Sequence, residues 1–94
     1  MLKTPYFLID EAKIQANCQI LRDVMDKTGA KILLAQKAYS IYQTYPLIRQ
    51  YLSGTTASGL YEARLGHEEM GGETHVFSPG YDEDTFDELL TYVD

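Results

Sequence analysis

Apolar residues recur along this chain in two alternating rhythms, one of helices and one of strands. Ile14, Cys18, Leu21 and Met25 fall at i, i+4, i+7 and i+11, a single helical stripe. Asp10 stands ahead of it as an N-cap with Glu11 in the first turn, and Gly29 closes it just past Lys27. Lys31 to Tyr39 then opens on a charge, runs through Ile32, Leu33, Leu34 and Ala35, and predicts a buried parallel strand. A second stripe of Ile41, Tyr45, Ile48 and Leu52 ends at Gly54; Pro46 requires that helix to start near Thr44 or to kink there. Thr55 to Ser58 predicts a short strand, which Gly59 turns into a helix with the stripe Leu60, Ala63, His67 and Met70. Gly71-Gly72 stops that helix, Thr74 to Ser78 predicts a third buried strand, and Pro79-Gly80 a turn. Asp82, Glu83 and Asp84 suit the start of a last helix, whose stripe is Phe86, Leu89, Leu90 and Val93. Ahead of all this, Tyr6 to Ile9 reads as a short strand that follows Pro5.

Strand–helix pairs joined by a few residues imply parallel strands and right-handed crossovers, an α/β fold. Strand starts recur after about 24 and then about 19 residues, the period of βα units. Three such strands leave one side of a sheet without neighbours. Residues 1–94 therefore read as the N-terminal portion of a (β/α)₈ TIM barrel, a fold that takes ~250 residues.

Composition narrows the partners. The chain has 94 residues, is 45% hydrophobic and 23% charged, and carries a formal net charge of −6 with no Lys or Arg after Arg64. Nucleic acid and anionic membrane surfaces both demand clustered cations, so neither is an expected partner. Cys18 is the only cysteine, which fits a reducing compartment. Pro5 and Asp10 interrupt the apolar run Tyr6 to Ile9, so it does not read as a signal peptide, and no stretch approaches the ~20 apolar residues of a membrane span. The expected location is cytoplasmic.

In a βα barrel the active site forms at the C-terminal strand ends, here Lys37-Ala38-Tyr39, Ser58-Gly59 and Ser78-Pro79-Gly80. Lys37 is the one ionisable nucleophile among them. Alternation puts Leu33, Ala35 and Lys37 on one face and Ile32, Leu34 and Gln36 on the other. Two readings of Lys37 stand open: a solvated strand end, or an amine held for Schiff-base chemistry. Ala35, one step below, leaves room for a flat ring. Ser58 and Ser78 read first as helix caps and turn formers, and Glu62 as a solvated or capping carboxylate. Of the tyrosines at 39, 42, 45 and 51, Tyr39 is the one placed to touch a ligand. His67-Glu68-Glu69-Met70-Gly71 begins like a zincin helix but lacks the second His, so His67 and His75 read as packing or hydrogen-bonding residues and no metal is expected.

Four segments together resemble one enzyme family. They are Thr4-Pro5-Tyr6-Phe7-Leu8-Ile9-Asp10, Leu33-Leu34-Ala35-Gln36-Lys37, Gly54 to Glu62, and Leu65 to His75. All are similar to carboxynorspermidine decarboxylase, within the alanine racemase and ornithine decarboxylase class of pyridoxal-phosphate enzymes. The strand-ending lysine is shared by the whole class; the run Gly66-His67-Glu68-Glu69-Met70-Gly71-Gly72-Glu73-Thr74-His75 singles out the family.

The resemblance implies that Lys37 is the catalytic lysine that carries pyridoxal 5′-phosphate; Ala35 and Ser58 join it as expected cofactor-binding residues from their places at the strand ends. It implies decarboxylation of carboxynorspermidine and carboxyspermidine to norspermidine and spermidine in polyamine synthesis, by a homodimer with shared active sites. It also allows residues 1–9 to be a strand of a separate β-domain. The phosphate-binding loop, the carboxylate facing the pyridinium nitrogen, the substrate-reading acids and the C-terminal β-domain would lie downstream, so these 94 residues alone are not expected to be active. Gln36 departs from the family, which usually has an apolar residue there. The alternatives are another enzyme of the class, such as diaminopimelate decarboxylase, and a non-catalytic acidic binding domain.

Overall fold

A computed structural model describes residues 9–94. The strand expected over Tyr6 to Ile9 lies outside the described residues except for Ile9, which is exposed and in no strand. Asp10 does what an N-cap residue does: its carboxylate accepts from the backbone N–H groups of Ala12 and Lys13 at 3.0 and 3.3 Å, and helix α1 runs Glu11–Thr28. Gly29 ends it in the left-handed region at φ 74°, its N–H reaching the Met25 carbonyl at 2.8 Å. Asp10→Ala is expected to destabilise the protein by about 1 kcal/mol, the usual cost of losing such a cap. Urea unfolding measures it; an unchanged midpoint would mean that packing alone holds α1.

Three strands follow: β1 Leu33–Ala35, much shorter than its apolar run, and β2 Gly54–Ala57 and β3 Glu73–Val76, each beginning one residue earlier than expected. They pair in parallel in the order β1-β2-β3, with Leu34 opposite Thr55 and Thr55 opposite Thr74. The same backbone contact brings each strand in: Ser53 N–H donates to Ile32 O and Glu73 N–H to Ser53 O, both at 3.0 Å. Asp94 repeats it on the open edge of β3, its N–H donating to Thr74 O at 2.9 Å while its carboxylate accepts from Thr74 N–H at 2.6 Å.

The helices lie on one face of this sheet. Cys18 and Met25 of α1, Tyr45 and Ile48 of α2 (Tyr45–Arg49), Leu52 and Met70 form one core cluster against Leu34. Ala57 and Val76 face Ala63 of α3 (Leu60–Leu65) and Leu89 of α4 (Glu83–Leu90) in a second. Helix α2 begins with Pro46 in its first turn, after a 3₁₀ turn at Tyr42–Thr44, so the proline marks a start rather than a kink. Thr55 and Thr74, fully buried on this face, have hydroxyls without a hydrogen-bond partner among the described residues, and nothing in the structure offsets that cost.

Several expectations are corrected. The helix after β2 does not continue as a regular α-helix: Gly66–Met70 forms a π turn, with Gly71 N–H bonded to Gly66 O at 2.9 Å. The extra residue in that turn moves His67 out of the buried stripe, and its ring lies exposed, 5.5 Å from that of Tyr92. Gly66 takes the core position because there is no room for more: a Cβ there would run into Thr55 Oγ1 and come within 2.9 Å of Gln36 Nε2. Strand β3 is not buried throughout; only Thr74 is, while His75 is exposed. On the two outer helices Leu21, Phe86 and Leu90 also stay exposed. No described helix is long and apolar enough to cross a membrane.

Candidate active site

Strand β1 ends at Ala35 because the backbone turns there, and not at Tyr39 as its apolar run suggests. The N–H groups of Ala38 and Tyr39 both donate to Ala35 O, at 3.0 and 3.2 Å, closing a tight turn over Gln36, Lys37 and Ala38. Lys37 sits at the exposed tip of that turn. Lys31, also expected in the strand, lies before it and pairs with Glu73 at 2.7 Å.

What pins the turn is Gln36, which is 2% exposed. Its Nε2 donates to Glu62 O at 2.7 Å and to Thr56 O at 3.3 Å, and its Oε1 accepts from the Tyr45 hydroxyl at 2.9 Å. Tyr45 is fully buried, and burial first of all, with the nearby Glu62 carboxylate second, pushes its phenol up to about 12. A phenol that keeps its proton is a permanent donor. Gln36 faces the helices with Leu34, as alternation requires, but it is a junction of three elements rather than a local substitution. Its polarity inside an apolar run was the available signal, and Tyr45 reads from sequence only as stripe.

On the opposite face no helix packs among the described residues. Register sets Leu33, Gly54 and Glu73 in one row and Ala35, Thr56 and His75 in the next, with Lys37, Ser58 and Phe77 just beyond the strand ends. Phe77 continues the ladder through its N–H to Ala57 O at 3.0 Å and is 79% exposed; sequence reading passed it over. That face carries the small residues Ala35, Gly54 and Thr56 beside Leu33, Glu73 and His75.

The remaining candidates divide. Ser58 is exposed, and its backbone N–H donates to Glu62 Oε1 at 2.9 Å, so Glu62 reaches back over the start of α3 much as in a capping box. Ser78 Oγ donates to Gly80 O at 2.6 Å, a turn former. A cleft of about 160 Å³ lies between Gly59, Ser78 and Tyr81, with Asp82 on its wall and no Lys or Arg. Tyr39 is held away from the strand ends: its hydroxyl shares a 2.7 Å hydrogen bond with Thr44 and its ring lines an apolar groove beneath α1. On β3, Lys31 and then His75 hold the Glu73 carboxyl below its usual range by hydrogen bonding, and Lys31 is raised in return. No group of three His, Cys, Asp or Glu converges among the described residues.

Comparison with known proteins agrees with the motifs. No family model matches the chain. It is 42% identical over 94 residues to a carboxynorspermidine/carboxyspermidine decarboxylase of Herminiimonas arsenicoxydans and 39% identical over 90 residues to one of Campylobacter jejuni. It is 34% identical over 89 residues to a carboxyaminopropylagmatine decarboxylase of Synechocystis. These alignments take in all, 96% and 95% of this chain but only 26%, 24% and 23% of the relatives, so the chain spans about a quarter of their length. The fold overlays a crystal structure of carboxynorspermidine decarboxylase complexed with norspermidine from Campylobacter jejuni. The TM-score is 0.95 at 37% identity, over 98% of this chain and 25% of that one. The α/β arrangement is thus that of one part of a decarboxylase.

Proposed function

We propose that the protein carrying this chain is a pyridoxal-phosphate-dependent decarboxylase of carboxynorspermidine and carboxyspermidine, acting in polyamine synthesis as a cytoplasmic homodimer. In this reading residues 9–94 are the lysine-bearing part of its (β/α)₈ barrel. The observation that carries it is Lys37: an exposed amine on the turn that follows a parallel strand, in a chain that overlays a carboxynorspermidine decarboxylase. Parallel strands with helices on one face support the barrel, because that is how βα units close.

The residues present fit the cofactor in part. Lys37 Nζ is a primary amine open to solvent and in no ion pair among the described residues, Ala35 leaves space for the ring, and exposed Ser58 ends the neighbouring strand. The cleft beside Ser78 has Asp82 and no Lys or Arg among its described lining residues, so the phosphate would be held by residues outside it. When bound, pyridoxal phosphate supplies an electron-accepting ring that stabilises the carbanion left by departing CO₂. Lys37 Nζ would hold the cofactor, and as a free amine it would be able to hold and move a proton.

Borohydride reduction of the full-length protein with pyridoxal phosphate, followed by peptide mapping, is expected to place the label on Lys37; a label on another lysine refutes the assignment. The Synechocystis relative favours a second substrate, carboxyaminopropylagmatine, within the same chemistry. Parallel assays of CO₂ release from the three carboxylated amines, with diaminopimelate as control, decide between them.

A further inference from the structure

Lys37 has no anchoring contact of its own among the described residues, yet the residue beside it is among the most heavily tethered in the fold. Gln36 spends its three side-chain hydrogen bonds on different elements, β2 through Thr56 O, α3 through Glu62 O and α2 through the Tyr45 hydroxyl, and its backbone N–H also donates to Thr56 O at 3.3 Å. The first two partners are backbone carbonyls, which persist whatever side chains surround them. The Tyr45 hydroxyl is the one side-chain partner, and it comes from a helix otherwise held by apolar packing. From Gln36 the backbone passes directly into Lys37, and both N–H bonds that close the turn return to Ala35.

We infer that the Gln36–Tyr45 pair is a positioning device for the Lys37 amine, locking the turn on which Lys37 rides to the packed helix α2. The inference rests on the proposed role of Lys37. Gln36 and Tyr45 lie on the helix-covered side and touch neither substrate nor cofactor; they act by holding the peptide that carries the amine. A turn tied at three points presents its tip in one orientation. Cutting the tie to Tyr45 leaves the fold and the amine in place but lets the turn open locally.

The test uses the full-length protein with Tyr45→Phe, which deletes one oxygen, Gln36→Met, which keeps the length of the side chain, and the double variant. In the cofactor-free protein, hydrogen exchange is followed at the amides of Ala38 and Tyr39. In the loaded protein, visible circular dichroism is read per bound cofactor, alongside the borohydride label. Tyr45→Phe is expected to speed exchange at both amides about tenfold and to reduce the visible dichroism at least twofold, with the label still on Lys37. The double variant is expected to match Gln36→Met, which already removes the link to Tyr45 together with the two bonds to carbonyls. Unchanged exchange and dichroism in both single variants overturn the inference, as does a fall in melting temperature without either local change. A wild-type label on a different lysine overturns the assignment of Lys37 itself, and with it this role for the pair.

Discussion

Replacing Lys37 by alanine is expected to lower decarboxylation of carboxynorspermidine on the order of a thousandfold or more while leaving the fold untouched. The two halves of that expectation come from the same fact. The side chain is exposed at the tip of a turn and makes no ion pair among the described residues, so its removal should shift unfolding by less than about 0.5 kcal/mol. A group that the fold does not need and the reaction does is what a cofactor-carrying lysine should look like. CO₂ release and urea unfolding on the same preparation check both halves. Activity within tenfold of the parent would place the chemistry elsewhere, and a large loss of stability would make Lys37 a structural residue.

The second large effect is expected at Gly54, the first residue of the central strand. A Cβ on Gly54 would overlap the backbone carbonyl of Glu73 on β3, and backbone cannot step aside as a flexible side chain can. Gly54→Ala must therefore push β2 and β3 apart where their ladder begins, opposite Glu73. The expected loss is about 3 kcal/mol, the upper end of what overpacking usually costs. Urea unfolding reads it directly. A loss below about 1 kcal/mol would mean that the two strands separate at that point without consequence.

The element order was legible because each helix carries an apolar stripe, and α1 and α4 a capping side chain as well. Asp10 and Gly29 bound α1 where expected, Pro46 opens α2, and Asp82 caps α4 by accepting from Asp84 N–H. The end of β1 was not legible. An apolar run records burial, and Tyr39 is half-buried against Thr44 and the groove beneath α1 without being in a strand. The π turn was hidden for a related reason: a 3.6-residue period sees Leu60, Ala63, His67 and Met70 as one face, and only the crowding of Gly66 against Thr55 and Gln36 shows why the register slips. For the candidate site, strand parity applies to Ala35 and stops there, because Lys37 lies on the turn that follows β1. Gln36 and Tyr45 meet across nine positions of sequence through a turn and a helix start, which no local period encodes.

The proton on Tyr45 has a kinetic consequence. Gln36 does not titrate, and the phenol it faces loses its proton only at about 12. Across the pH range in which a cellular enzyme turns over, this pair keeps one charge state and one amide orientation, its oxygen toward the phenol and its nitrogen toward two carbonyls. Any limb in a pH–rate profile between pH ~6 and ~9 must therefore be assigned to other ionising groups.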